Sequence, residues 1–196
     1  MAINISASKY LKRSPHINDG KGETSIRSLI ERVVNTISGQ GVKQGYFDEE
    51  TGKVFRDELC HILIHQQGAF NSPVYFNCGL MEAYGLAGTN VSNFYWDAKA
   101  GKTMETQDYF SHPQLSACFI QSIKDDLQDI WEHVGREMKI FKGGSGTGSN
   151  FSSLRSVGEG LSTGGSSSGV ISFLEIFDKA AGSTKSGGTS RRAAKM

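Results

Sequence analysis

Ala117-Cys-Phe-Ile-Gln121, Asp125-Asp-Leu-Gln-Asp-Ile-Trp-Glu-His-Val-Gly-Arg-Glu-Met-Lys-Ile-Phe141 and Ser149-Asn-Phe-Ser-Ser-Leu-Arg155 decide the fold class. The first segment is short, apolar and rich in β-formers, and reads as a strand. In the second, Leu127, Ile130, Trp131, Val134, Met138 and Phe141 recur at helical spacing behind an Asp pair that can cap a helix start. The third suits another strand, and Val170-Ile-Ser-Phe-Leu-Glu-Ile-Phe-Asp-Lys-Ala180 a buried helix. Strand, helix, strand, helix predicts an α/β arrangement with parallel pairing.

Upstream, Ile26, Leu29, Ile30, Val33, Val34 and Ile37 follow the i, i+3, i+4, i+7 pattern of a helix with one buried face. Thr24 or Ser25 can start this helix and Gly39 end it. A second helix is expected from about Asp48 to Gln67, with Phe55, Leu59, Ile62 and Leu63 as its stripe and Gly68 as its stop. Ala69–Asn77, containing Pro73, reads as a turn and a short strand. Residues 82–113 have no clear period and read as loops. The division expected is a polar arm at 1–22, a helical segment at 23–68 and an α/β portion at 69–196. Strands are few for a closed sheet, and Arg191-Arg-Ala-Ala-Lys-Met196 reads as a helix beginning. The chain is therefore expected to be part of a larger protein.

Composition narrows the function. The 196 residues carry a net charge of +1 and 37% hydrophobic residues, which argues against a nucleic-acid coat or a binder of anionic membranes. No apolar run approaches the roughly 18 residues of a membrane span, and the N-terminus lacks the pattern of a secretory signal. Three cysteines, Cys60, Cys78 and Cys118, without C-x-x-C spacing, fit neither a disulfide scaffold nor a structural zinc site and suggest a reducing cytoplasm.

Half of the 24 glycines lie in residues 143–188. Lys142-Gly-Gly-Ser-Gly-Thr-Gly-Ser-Asn150 could cradle an anion with its backbone N–H groups, or be a flexible connection. It follows a helix rather than a strand, and no Gly precedes Lys185 in Thr184-Lys-Ser186, so the dinucleotide and Walker patterns both fail. Lys185, Arg191 and Arg192 sit among hydroxyls and glycines, as in a nucleotide-binding loop or a solvated one. Cys118 reads as a buried structural cysteine, or as a redox thiol if a partner comes within reach. Of Asp125 and Asp126, one caps the helix and the other is free to accept from a ribose hydroxyl. His61 and His65 read as partly buried helix residues rather than metal ligands.

Four motifs together resemble a known family: Phe70-Asn-Ser-Pro-Val-Tyr-Phe-Asn-Cys-Gly79, Gln114-Leu-Ser-Ala-Cys-Phe-Ile120, Phe141-Lys-Gly-Gly-Ser-Gly-Thr-Gly-Ser-Asn-Phe-Ser-Ser-Leu-Arg155 and Lys185-Ser-Gly-Gly-Thr-Ser-Arg-Arg-Ala-Ala-Lys-Met196. From about Ser25 to Met196 the chain is similar to the N-terminal part of ribonucleotide reductase, closest to the adenosylcobalamin-dependent (class II) enzymes. The resemblance implies a helical segment followed by the first part of a ten-stranded α/β barrel, incomplete in this chain. It implies reduction of ribonucleoside diphosphates or triphosphates for DNA synthesis. Adenosylcobalamin would start a thiyl radical on a cysteine loop, and a cysteine pair would supply the electrons.

Cys118 matches the first cysteine of that pair, and a buried position would keep it a neutral thiol. Ser72, Val74, Ala117, Cys118 and Gly146 match substrate-binding positions, with a hydroxyl residue common in relatives where Val74 stands and backbone groups serving at Ala117 and Gly146. Asp125, Lys142 and Arg155 match contacts to a deoxynucleotide effector. The loops at about 158–169 and 183–192, the second with Lys185 and Arg191, match mobile specificity loops. The implied partners are substrate, effector, a thioredoxin-like reductant and a second copy of the chain. The radical cysteine and the second redox cysteine normally lie beyond Met196, so the chain is not competent alone and needs the C-terminal portion, in trans or in a longer chain. The alternatives are a nucleotide-binding module without catalysis, or a large-subunit fragment of a reductase that uses a separate metal subunit.

Overall fold

The computed structural model describes residues 2–88 and 93–185, and its contacts divide at Leu115/Ser116 into two units. In the first unit, α1 (Ala2–Lys9) begins the segment whose polarity predicts a loose arm. Long-range contacts hold that segment instead. Ile17 is 1% exposed and packs with Leu80 and Leu86, and Glu23 is buried against Arg32. Neither contact leaves a periodic trace in sequence.

α2 (Ile26–Lys43) starts where Ser25 Oγ accepts the Ser28 N–H. It runs through Gly39, where a side chain would meet open space, so that glycine is no terminator. α3 (Glu49–Ile64) starts on Asp48, which accepts the Thr51 N–H at 2.7 Å. It stops before Gln67 because Gln66 turns left-handed, with φ 57°. Ile30, Val34 and Leu63 seal the two helices together, with Leu59, Cys60 and Phe70 packed alongside.

The expected strand at 69–77 is the helix α4 (Ser72–Asn77). Asn71 carries the extended backbone, and Pro73 falls in the first turn, where its missing N–H has no partner to lose. α5 (Leu80–Tyr84) follows at once through Gly79, whose φ is 75°. A β-carbon there would lie 2.8 Å from the Arg32 carbonyl oxygen, so only glycine lets the chain pass α2 this closely. Residues 82–113 are not all loop: β1 (Phe94–Asp97) and β2 (Lys102–Glu105) form an antiparallel hairpin with Phe94 opposite Glu105 and Asp97 opposite Lys102. Phe-Tyr-Trp was the β-forming signal there.

The second unit contains β3 (Cys118–Ser122), α6 (Leu127–Lys142), β4 (Gly146–Asn150) and α7 (Val170–Ser183). β3 and β4 pair in parallel, with Cys118 opposite Gly146 and Ser122 opposite Asn150. The second strand thus lies on the glycine-rich run, earlier than its expected place at 149–155. Phe151 and Leu154 instead turn into the core with Ile123, Ile130 and Phe177. The chain is mixed helix and strand, and among the described residues the sheets are two pairs with no closed sheet. Among those residues no helix is long and apolar enough to cross a membrane.

Candidate functional site

The β3–β4 pair has two unlike faces. Thr147 and Ser149 point to α6, where both hydroxyls donate to Glu137 Oε1, at 2.9 and 2.7 Å. The alternation of a strand then puts Gly146, Gly148 and Asn150 on the other face, with Cys118, Ile120 and Ser122. That face is open: Cys118 is exposed and Ile120 is 86% exposed. The burial expected for Cys118 is therefore not found in this chain, because β3 is covered on one side only.

Gly146 sits opposite Cys118, and its N–H donates to the Ala117 carbonyl at 2.7 Å. Those two backbone groups belong to the strand pairing and are not left for a ligand. What Gly146 offers is a missing side chain. Its φ is not left-handed, and an added β-carbon would lie 3.9 Å from Cys118 Sγ and 3.7 Å from the Ala117 oxygen, ordinary contact distances. The fold does not require glycine at this position.

Behind the strand, His133 is fully buried. Arg136 Nη2 lies 3.2 Å from His133 Nδ1. A guanidinium can only donate, so Nδ1 accepts and the proton sits on Nε2, which donates to Ser149 Oγ at 2.7 Å. Ser149 in turn donates to Glu137, so His133, Ser149 and Glu137 satisfy one another. Burial holds the His133 pKa below the usual imidazole range; Glu137 pulls it up, Arg136 adds to the lowering and Asp129 opposes it. The unfolded chain therefore takes up the proton first, and stability present above about pH 6.5 is lost as pH falls below it. Thermal unfolding is expected to show that loss as pH falls below about 6.5, with a flatter slope in His133→Gln.

Asp125 and Arg155 meet at the carboxyl ends of the strands, where open α/β sheets place ligands. Asp126 caps α6 by accepting the Asp129 N–H, which frees Asp125. Its carboxylate takes Arg155 Nε at 2.6 Å and the Arg155 N–H at 3.3 Å. The side-chain bond from Arg155 is the main reason its carboxyl stays below the usual range. Arg155 Nη1 also donates to the Gly160 carbonyl at 3.0 Å. The loop at 158–169 is tied across by Gly158 N–H to Ser167 O and Ser167 N–H to Glu159 O.

Lys142 does not join this pair. It is the last residue of α6, and sixteen helical residues put it about 24 Å from the Asp125 end. Lys185 is exposed at the end of the described chain; Arg191, Arg192 and residues 186–192 of the second specificity loop lie outside the described residues.

In the first unit, Ser72 opens α4 and is half-buried. Val74 is 7% exposed and packs on Val33 and Cys78, so its side chain belongs to the core rather than to a ligand. All three cysteines are free, and burial pushes Cys78 up to about 11. His61 and His65 are exposed rather than partly buried, their ring centroids 4.2 Å apart. The hydroxyls of Thr147 and Ser149 and the His133–Glu137 pair went unrecognised in sequence. The i, i+4 spacing of His133 and Glu137 opposite a Thr-x-Ser strand was the available signal.

Comparison with known proteins agrees with this layout. Residues 1–66 match the family model described as class II vitamin B12-dependent ribonucleotide reductase. Residues 116–196, the second unit, match that of the ribonucleotide reductase barrel domain. The chain is 46% identical over 197 residues to a vitamin B12-dependent ribonucleotide reductase of Rhodopirellula baltica, covering 100% of this chain and 19% of the relative. To that of Agrobacterium fabrum it is 48% identical over 200 residues, 98% of this chain and 16% of the relative. The reductase of Streptomyces clavuligerus is 39% identical over 196 residues, 100% of this chain and 17% of the relative. The chain thus spans less than a fifth of the length of these relatives, always with nearly its whole length, and by this evidence it belongs to the vitamin B12-dependent ribonucleotide reductase family.

Proposed function

We propose that this chain is the N-terminal part of an adenosylcobalamin-dependent ribonucleotide reductase, and that the open face of β3–β4 is one wall of its substrate site. The observation that carries this reading is the register that sets the exposed Cys118 thiol opposite Gly146, a glycine the fold does not need. Backbone left bare at Gly146 beside a thiol suits a ribose ring held against it.

Cys118 is then one of two thiols that give up two electrons and two protons and join as a disulfide. The ribose 2′ carbon exchanges its hydroxyl for hydrogen, and the hydroxyl leaves as water. The second thiol and the remaining strands of the ten-stranded barrel come from the C-terminal portion of the enzyme. A thioredoxin-like dithiol restores the pair, which places the work in a reducing compartment, the cytoplasm. Adenosylcobalamin supplies the radical that starts the reaction.

The Asp125–Arg155 pair and the tied loop at 158–169 serve in this reading as the deoxynucleotide site. Arg155 offers charge-assisted hydrogen bonds to phosphate and Asp125 accepts from a sugar hydroxyl. They stand at one end of the strands and Cys118 and Gly146 at the other, about one strand length, ~16 Å, apart. The experiment is Gly146→Ala in the complete reductase. The added methyl is expected to raise KM for the ribonucleotide roughly tenfold or more, as a methyl does in a closely fitted site, with thermal stability unchanged. An unchanged KM would remove Gly146 from the substrate wall.

A further inference from the structure

The end of α3 carries two histidines one turn apart. His61 lies in its last turn and His65 is its C-cap, and the i, i+4 spacing puts both on one face. Partial burial would keep them from an ion in solution, but both are exposed. Their ring centroids are 4.2 Å apart with 42° between planes. Among the described residues neither ring has a hydrogen-bond or ion-pair partner. The His65 N–H donates to the His61 carbonyl at 3.0 Å, so the backbone that carries the two rings is held in place. The chain then turns left-handed at Gln66, with φ 57°.

We infer that His61 and His65 form a two-point chelating site for a divalent transition-metal ion of the Ni²⁺, Cu²⁺ and Zn²⁺ class. Imidazole is a ligand these ions prefer, whereas Mg²⁺ and Ca²⁺ take oxygen. Metal–nitrogen bonds of about 2.0–2.1 Å put two nitrogens on one ion roughly 3 Å apart. Rings this close reach that spacing by side-chain rotation, without a change in the backbone. The helix holds the second imidazole beside the first, so the second bond forms within the molecule at a high effective concentration. The last turn of α3 contains no Lys or Arg, and the carbonyl end of a helix is the negative pole of its dipole, which favours a cation. Among the described residues no third His, Cys, Asp or Glu completes the group. The other coordination positions are therefore left to water, and the ion exchanges with solution. Bound there, it ties the last turn of α3 to the cap, just before the chain turns at Gln66. The site lies on one helix of the first unit and does not depend on the reductase chemistry proposed above.

The probe for the test is Ni²⁺, which does not oxidise the three free cysteines, with Mg²⁺ as the control ion. Hydrogen exchange is followed in the complete reductase over the amides of residues 61–67, for the wild type, His61→Gln and His65→Gln. Both positions are exposed, so neither variant leaves a cavity, and without metal all three proteins should melt alike. An ion that binds only the closed helix end slows exchange in proportion to its occupancy. Exchange in the wild type is expected to slow by about tenfold when free Ni²⁺ reaches roughly ten times its Kd. Each variant keeps a single imidazole and should need roughly a hundredfold more Ni²⁺ for the same slowing. Equal slowing in the wild type and either variant would show one ring binding alone and would overturn the chelate. The same slowing by Mg²⁺ would mark a general effect of charge and would overturn it too. Amides that do not respond to millimolar Ni²⁺ would remove the site altogether.

Discussion

Cys118→Ser in the complete reductase is expected to abolish multiple turnover with a dithiol reductant, a loss of about a thousandfold or more. Serine keeps the size and the strand position but cannot be oxidised to a disulfide. The electrons for each turnover then have no source at this site, and removing one member of a set that acts as a unit costs nearly as much as removing the set. Exposure of Cys118 on the uncovered face of β3 means the substitution leaves no cavity, so melting temperature and nucleotide binding should stay close to wild type. Steady-state rates with a dithiol, measured beside substrate binding, separate the two effects. Full activity in the variant would remove Cys118 from the redox pair.

Glu23→Ala is expected to destabilise the first unit by about 3–5 kcal/mol, the scale for breaking a buried ion pair from one side. The Glu23 and Arg32 side chains are 0% and 1% exposed and meet at 2.8 Å. Glu23 also accepts the Lys12 N–H at 2.7 Å and the Tyr84 hydroxyl at 3.0 Å. Arg32 donates to the carbonyls of Tyr75 and Cys78. One carboxylate and one guanidinium therefore join the N-terminal segment, α2, α4 and α5. Removing Glu23 leaves Arg32 charged, buried and without a counter-charge.

Burial, together with the charge and hydrogen bond of Glu23, pushes the Tyr84 hydroxyl up to about 12, which keeps it a donor at any working pH. Arg27 and Glu31 make a contact of the same 2.8 Å length on the exposed face of α2, 83% and 48% exposed, and Glu31→Ala should leave stability essentially unchanged because solvent screens the pair. Hydrogen exchange of the α2 amides compares the two: protection should fall by roughly a hundredfold or more in Glu23→Ala and hardly change in Glu31→Ala. Equal small effects would mean that the buried pair does not hold the segment.

The pair also shows why the first 22 residues were misread. Ile17 and Tyr10 are isolated apolar residues in a polar run, and Glu23 looks like any surface acid. Their partners are Leu80, Phe76 and Arg32, and nothing in local order connects them. The hairpin at 94–105 was hidden for a related reason: two strands of four residues are too short to establish a period. The site was more legible. Cys118 and Gly146 carried a family resemblance, and the capping of α6 by one aspartate with the other left free could be read from Asp125-Asp126 directly. The family resemblance groups Lys142 with Arg155, although the helical spacing from Asp125 to Phe141 already sets it at the far end of α6.

By itself, then, the sequence determined what depends on near neighbours: that α2, α3 and α6 are helices and about where each begins, the parallel α/β order and the family; Ile62 of the expected α3 stripe and Leu127 and Trp131 of the expected α6 face are exposed. Only the tertiary structure decided which face of β3 carries Cys118, that Val74 belongs to the core, that Pro73 begins a helix, and that Tyr10 and Glu23 are tied to residues tens of positions away. Period and capping act over a few residues and leave a trace in local order. Burial, ion pairing and strand register depend on what the chain brings back from far along its length.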